Sequence, residues 1–280
     1  MDSPRGQQRP KPHAPHHGLE PSWPTSPPAA TVDAQPGGAK TPRDAGNWAK
    51  PVGALHVARD SFDGGFNLNV EGKRLAGPVQ GFGRMWQKTY RARFGVDVSP
   101  EEVIRVWKDR FPEFWPEGNR FFGPLTGIAP GEVAVLNLAM PGRITLSTGV
   151  MVVYSDDESF TFMTPEGHML AAWITFSAYR DGPETVAQVQ ALLRTQNLMV
   201  DLGNVLIGGF KKEDRFWEHT LQQLAGHFSV TAPAVILDAV CVDRKRQWRN
   251  ALKFRNDAML RSTFYQLGRS FRRSARSPRG

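Results

Sequence analysis

The stretch "FTFMTPEGHMLAAWITFSAYR" (160–180) decides the fold. Apolar residues alternate on either side of a short Thr-Pro-Glu-Gly-His segment, and a period of two is that of a half-buried β-strand. Pro165 followed by Gly167 suits a tight turn, with the glycine supplying a positive φ. The stretch therefore reads as two antiparallel strands joined by a turn. It also raises a chemical question, because Glu166 and His168 are residue types that perform general acid–base work. In a strand they would share a face; in a tight turn they need not. Turn polar groups are normally solvated, so the structural reading comes first.

The pattern continues in both directions. Strands are predicted over 132–140, 144–155, 159–164, 169–180 and 184–195, separated by the breakers "PGR", "DDE", "PEGH" and "RDGP". Turns this short imply an antiparallel meander. Upstream, residues 84–94 alternate Trp86, Lys88 and Tyr90 with Met85, Gln87 and Thr89, a further strand. A helix follows: Ser99 is its N-cap, Pro100 suits its first position, and Glu102 completes a capping box. Val103, Val106, Trp107 and Phe111 form its stripe until Pro112 breaks it. "FPEFWPEGNRFFGP" (111–124) then reads as a short aromatic turn. Downstream, 211–228 is a second helix. Phe216, Thr220, Leu221, Leu224 and Phe228 make one stripe, with Glu213, Glu218, Gln222 and Gln223 placed off it.

This order is strand, broken helix pair, five-strand meander, long helix. With "VSPEEVIRVW" after the first strand and "EDRFWEHTLQQLAGHF" at the end, it resembles the helix-grip fold of the START and birch-pollen-allergen superfamily (SRPBCC), over about residues 79–229. Within it, the likeness is to uncharacterised actinobacterial-type members. The resemblance implies an α+β fold, a curved antiparallel sheet wrapped on a long C-terminal helix, with one strand more than can be counted here. It also implies a cavity between sheet and helix that takes lipids, sterols, polyketides or other apolar molecules, in some members with cyclisation or dehydration. A fold does not choose among these.

Alternation alone nominates an inner face. Leu170, Ala172, Ile174, Phe176 and Ala178 are wholly apolar, as are Phe160 and Phe162, and Val189 with its neighbours on 184–195. With Leu221 and Leu224 of the long helix, these either line a ligand cavity or fill a solid core. Asn137 and Thr148 interrupt apolar strands and are candidate anchors for one ligand hydrogen bond. If the cavity instead houses a cyclase or dehydratase, Glu166, His168 and Tyr179 are its candidate catalytic residues. No phosphate-binding loop, HExxH, CxxC or GxSxG is present, and "GPVQGFG" (77–83) precedes a strand and lacks the Lys-Ser/Thr of a phosphate loop. His13, His16 and His17 have no Cys or acidic partners nearby. No metal and no cofactor are expected.

The charge is unevenly placed. The chain carries +8 in total, yet residues 243–280 hold twelve Lys or Arg against two Asp, hence +10. Within this tail, Trp248, Leu252, Met259, Thr263, Leu267 and Phe271 approximate a helical stripe. The basic groups Arg244, Lys245, Arg246, Arg249, Lys253, Arg272 and Arg273 are candidates for an anionic membrane surface. The alternatives are a helix packed on the domain and, less favoured because no reading motif is present, nucleic-acid binding. Ten of the 22 prolines precede position 43, so 1–50 is expected to be disordered, with 51–78 a lead-in strap and 230–242 an apolar strand or connector. There is no apolar signal segment and no run of eighteen apolar residues. The single cysteine, Cys241, fits a reducing cytoplasm and reads as a buried small hydrophobe. The oligomeric state is not readable. The expectation is a cytoplasmic, membrane-peripheral protein that binds a hydrophobic small molecule.

Overall fold

The computed structural model describes residues 45–58, 67–124, 126–207, 209–254 and 256–276, without the side chains of 204–207 and 270–276. The Pro-rich segment 1–44, with its three histidines, lies outside the described residues, as do the side chains of Phe271, Arg272 and Arg273.

The elements in order are β1 (Met85–Phe94), α1 (Pro100–Asp109), β2 (Arg120–Phe122), β3 (Val133–Met140), β4 (Ile144–Ser155), β5 (Ser159–Met163), β6 (Leu170–Asp181), β7 (Glu184–Thr195), α2 (Leu198–Ile207), α3 (Gly209–His227), β8 (Val235–Asp243) and α4 (Ala258–Arg276). The strands form one curved antiparallel sheet in the order β2-β3-β4-β5-β6-β7-β1-β8. β2, within the stretch 111–124 read as a short aromatic turn, and β8, within 230–242 read as a strand or connector, complete the sheet. The Ser99 hydroxyl accepts the Glu102 N–H at 3.1 Å and caps α1. The other half of the capping box does not form, because the Glu102 carboxylate takes the Arg105 guanidinium instead.

One face of the sheet grips α1 and α3. Tyr90, Ala92 and Phe94 of β1, Phe160 and Phe162 of β5, Phe176 of β6 and Val189 of β7 meet Trp107 of α1 and Trp217, Leu221 and Leu224 of α3 in one core. On the opposite face the strap 67–76, with 45–58, packs Leu55 and Val70 against Val133, Val135 and Met151. Here residues 45–50, read as disordered, are placed: Ala49 donates its N–H to the Val153 carbonyl at 2.9 Å, and Trp48 packs 4.8 Å from Tyr154.

The tail 243–280 is not one helix. β8 ends at Asp243, residues 244–254 are a loop with a single 3-10 turn, and α4 begins at Ala258. Trp248 and Leu252 therefore sit outside any helical stripe and are exposed. α4 packs on the sheet, for a reason visible in the register. β5 pairs with β4 only between Met151 and Ser155, which leaves 144–150 a bare strand edge on that side. α4 covers it. Ser147 donates its N–H to Ser262 Oγ at 3.1 Å, and Gln266 bonds both the N–H and the carbonyl of Thr145, at 3.0 and 2.9 Å. Ser262 and Gln266, one turn apart, stand in for the missing strand and satisfy groups that are costly to leave bare.

β8 closes the other end. Ile236, Leu237, Val240 and Val242 are exposed, because an edge strand beyond α3 has little to cover it. Cys241, expected to be buried, is half-buried for the same reason.

Candidate ligand cavity

The gripped interior is not uniform. Toward α1 it is solid. Phe160 and Phe176 stack at 4.7 Å, Trp107 meets Phe176 edge-on at 5.3 Å, and Phe111 contacts Phe121, Phe160, Phe162 and Phe176 at 5.1–5.6 Å. Toward α2 and α4 it opens into a cavity of about 410 Å³, within the range of small-molecule sites. Its wall is mainly apolar: Leu136, Leu138 and Val150 from the sheet, Phe210, Phe216 and Trp217 from α3, and Met259 and Leu260 from α4. Ala139, Met199 and Lys212 line it and are also exposed, which marks the mouth.

The structure sorts the sequence candidates by depth. Phe162, Leu170 and Ile174 are on the cavity wall. Phe160, Phe176, Val189, Leu221 and Leu224 share the inner face but belong to the solid part. Ala172 packs with Ala191 and Leu193 in a small cluster beside it. Thr148 lies opposite Leu136 in the β3–β4 register, fully buried, and its Oγ1 has no protein partner. Asn137 alternates with Leu136 and Leu138 and so belongs to the strap-covered face; its Nδ2 donates to the Leu136 carbonyl at 3.1 Å.

Polar groups missed in the sequence stand behind the wall and, with Glu213, on it. Lys88, although on a strand and only 5 % exposed, donates to Glu213 Oε2 at 3.1 Å and Asp214 Oδ1 at 2.7 Å, and Tyr90 O–H donates to the same Asp214 oxygen at 2.7 Å. The ammonium also lies 4.7 Å from the centre of the Phe210 ring. This cluster pins α3 to β1. Glu213, placed off the helical stripe from sequence, turns inward. It precedes Phe216 and Trp217 by three and four residues and so shares their face. Burial pushes its carboxyl above the usual carboxylate range against the pull of Lys88. Burial and the two carboxylates likewise push the Tyr90 phenol up. Trp217 Nε1–H is close enough to Glu213 to steady its charged form, yet makes no hydrogen bond of good geometry with it.

The three residues nominated for catalysis do not converge. Pro165 accepts the His168 N–H at 3.2 Å across the turn, and Gly167 has φ 89°. Glu166 is half-buried and off the cavity wall, and Tyr179 is exposed on the face that alternates with Ala178. His168 differs from the solvated turn residue expected: it is buried and lines the cavity. The cause is the tail. Ala258 donates its N–H to the Gly167 carbonyl at 2.9 Å, and a Cβ on residue 167 would lie 1.7 Å from the Asn256 carbonyl oxygen. Only glycine admits this approach. The first turn of α4 thus seals the Pro-Glu-Gly-His turn and leaves the imidazole facing inward. Burial lowers the His168 pKa to about 4, so the ring is neutral at pH 7.

The rim is tied together above it. Asn197 Oδ1 accepts the Val200 N–H at 3.0 Å at the start of α2, and Asp257 Oδ1 accepts the Leu260 N–H at 3.0 Å at the start of α4. Asn197 Nδ2 donates to Asp257 Oδ2 at 2.7 Å, so one hydrogen bond joins the two helix caps. Among the described residues, no three His, Cys, Asp or Glu side chains gather as metal ligands, and no helix is long and apolar enough to cross a membrane.

No protein-family model matches the chain, and no curated protein matches it. Solved structures do. A START superfamily protein from Mycobacterium smegmatis is 19 % identical, covers 52 % of this chain and 98 % of its own, and superposes with a TM-score of 0.34. Protein Ms6760 from the same organism is 13 % identical over 51 % of this chain and 90 % of its own, with a TM-score of 0.38. The di-domain ARO/CYC StfQ from the steffimycin biosynthetic pathway is 11 % identical over 52 % of this chain and 50 % of its own, with a TM-score of 0.40. These are likenesses only; the chain's own elements give the α+β architecture, one curved antiparallel sheet gripping α1 and α3.

Proposed function

We propose that the protein binds a hydrophobic small molecule, lipid-like or polyketide-like, in the cavity between sheet and α3, and holds it without chemistry. The observation that carries this reading is the mainly apolar space of about 410 Å³, open at Ala139, Met199 and Lys212, beside the aromatic core of Trp107, Phe160 and Phe176. Glu166, His168 and Tyr179 stand apart, which favours binding over acid–base turnover.

The reading includes a cytoplasmic protein that docks peripherally on an anionic membrane. The loop 244–254 reaches the mouth: its Ala251 carbonyl accepts the Leu198 N–H at 3.1 Å at the start of α2. Trp248 and Leu252 project from it, 68 % and 76 % exposed, among the exposed Arg244, Lys245, Arg249 and Lys253. Arg246, also exposed, is partly held back by Asp201 at 3.0 Å. Each free basic group near such a surface adds about 1 kcal/mol.

Native mass spectrometry of the purified protein tests the first part: an apolar molecule should leave on denaturation. Co-sedimentation with phosphatidylserine-containing vesicles tests the second. Binding should weaken with salt and fall about tenfold or more when Lys245, Arg249 and Lys253 are changed to Glu. Equal binding to neutral vesicles would sink the docking reading.

A further inference from the structure

Two residues of the decisive turn, Thr164 and His168, line the cavity, and the chemistry of His168 there is specific. The ring is 7 % exposed and lines the cavity. Its Nδ1 is taken: it lies 2.9 Å from both the N–H and the carbonyl of Leu170. Among the described residues the hydrogen bonds of the ring all run through Nδ1, and Nε2 makes none. The other polar side chains on that part of the wall are spoken for. Thr164 Oγ1 donates to the Ala76 carbonyl at 3.1 Å and accepts the Ala172 N–H at 2.9 Å. Asp257 accepts from Asn197 and from Leu260. Glu213 also lines the wall, with Oε2 held by Lys88 and Oε1 without a partner, so at the turn itself the imidazole is the polar group left for an occupant.

Which atom follows from the ring's two bonding possibilities. If the Leu170 N–H donates to Nδ1, Nε2 carries the proton and donates. If Nδ1–H donates to the Leu170 carbonyl, Nε2 accepts. A hydroxyl, which both donates and accepts, satisfies either arrangement; a carbonyl satisfies only the first. A carboxylate fits poorly, because the imidazole is neutral and the Asp257 carboxylate stands on the same wall. We infer that His168 Nε2 is the polar anchor of the cavity and that the ligand is an apolar alcohol or phenol whose hydroxyl seats against it. This rests on the binding reading above.

The experiment compares three probes of one shape, naphthalene, 2-naphthol and 2-naphthoate, by calorimetric titration of the full chain at pH 7. The naphthol should bind about tenfold tighter than the hydrocarbon, and the naphthoate no tighter than the hydrocarbon. His168→Phe should abolish the naphthol's advantage while naphthalene still binds. His168→Gln, whose amide can place a polar nitrogen or oxygen near the Nε2 position, should restore part of it, and that rescue separates an anchor from a residue that only supports the rim. Naphthalene and naphthol binding alike, or the naphthoate binding tightest, would overturn the anchor and leave the cavity standing. If none of the three binds, the cavity reading falls as well.

Discussion

The two ends of the gripped interior are built from the same faces of the same strands and end up opposite in kind. At the α1 end, Phe160, Phe176 and Trp107 interlock with Leu221 and Leu224 and leave no room. At the α2 and α4 end, Leu138, Ile174, Phe210 and Leu260 surround open space. What differs is the covering element. α1 brings a tryptophan down onto the sheet. α2 and α4 are held at their caps and reach the space mostly with unbranched or small side chains, Met199, Gly203 and Met259. Ring size and helix placement, not polarity, decide which half is core and which is chamber.

Truncation breaks that contrast most directly. Phe176→Ala should cost about 3–5 kcal/mol, because a fully packed site cannot collapse around the loss. Ile174→Ala, two residues away on the same strand and face, should cost only about 1–2 kcal/mol, because one side of the isoleucine already meets open space. Urea denaturation of both variants measures this, and equal costs would mean that the chamber is packed after all.

The next effect comes from the chamber wall. Because burial lowers the His168 pKa to about 4 from an ordinary 6.5, the unfolded chain takes up a proton that the folded chain refuses. The associated stability is fully present above pH 6.5 and lost as the pH falls from 6.5 to 4, by about 3 kcal/mol in all. Stability of wild type and His168→Gln should therefore converge or cross over that window. Parallel curves would place His168 in solvent.

The smallest effect belongs to Thr148, opposite Leu136 in the β3–β4 register. Thr148 Oγ1 is buried without a protein partner, so Thr148→Val, similar in shape, should raise stability by about 1 kcal/mol and leave ligand affinity unchanged. A loss of affinity instead would return Thr148 to the list of anchors.

The sheet was legible because alternation survives wherever one face is buried: 144–155 and 184–195 coincide with β4 and β7. β2 escaped because three residues show no period, and α2 because "LMVDLGNVLI" is apolar nearly all round. Depth was illegible for a related reason. Alternation says which face a residue is on, not how far along the strand the filling stops, so Phe160 and Phe162 looked alike. Glu213 was within reach of the sequence, since its three- and four-residue spacing to Phe216 and Trp217 puts it on their face. His168 was not. Its burial is made by Asn256 and Ala258, about ninety residues away, and no local pattern announces that a turn will be covered.

The docking of α4 also has a consequence for the order of events. Its bonds to the sheet and strap reach back 115, 121 and 193 residues, to Ser147, Thr145 and Asn69. Contacts so distant along the chain close late, after the local hairpins of the meander have formed. The chamber therefore acquires its α4 wall late in folding, together with the similarly distant β1–β7 and β1–β8 pairings, and until then its side at Met259 and Leu260 stands open.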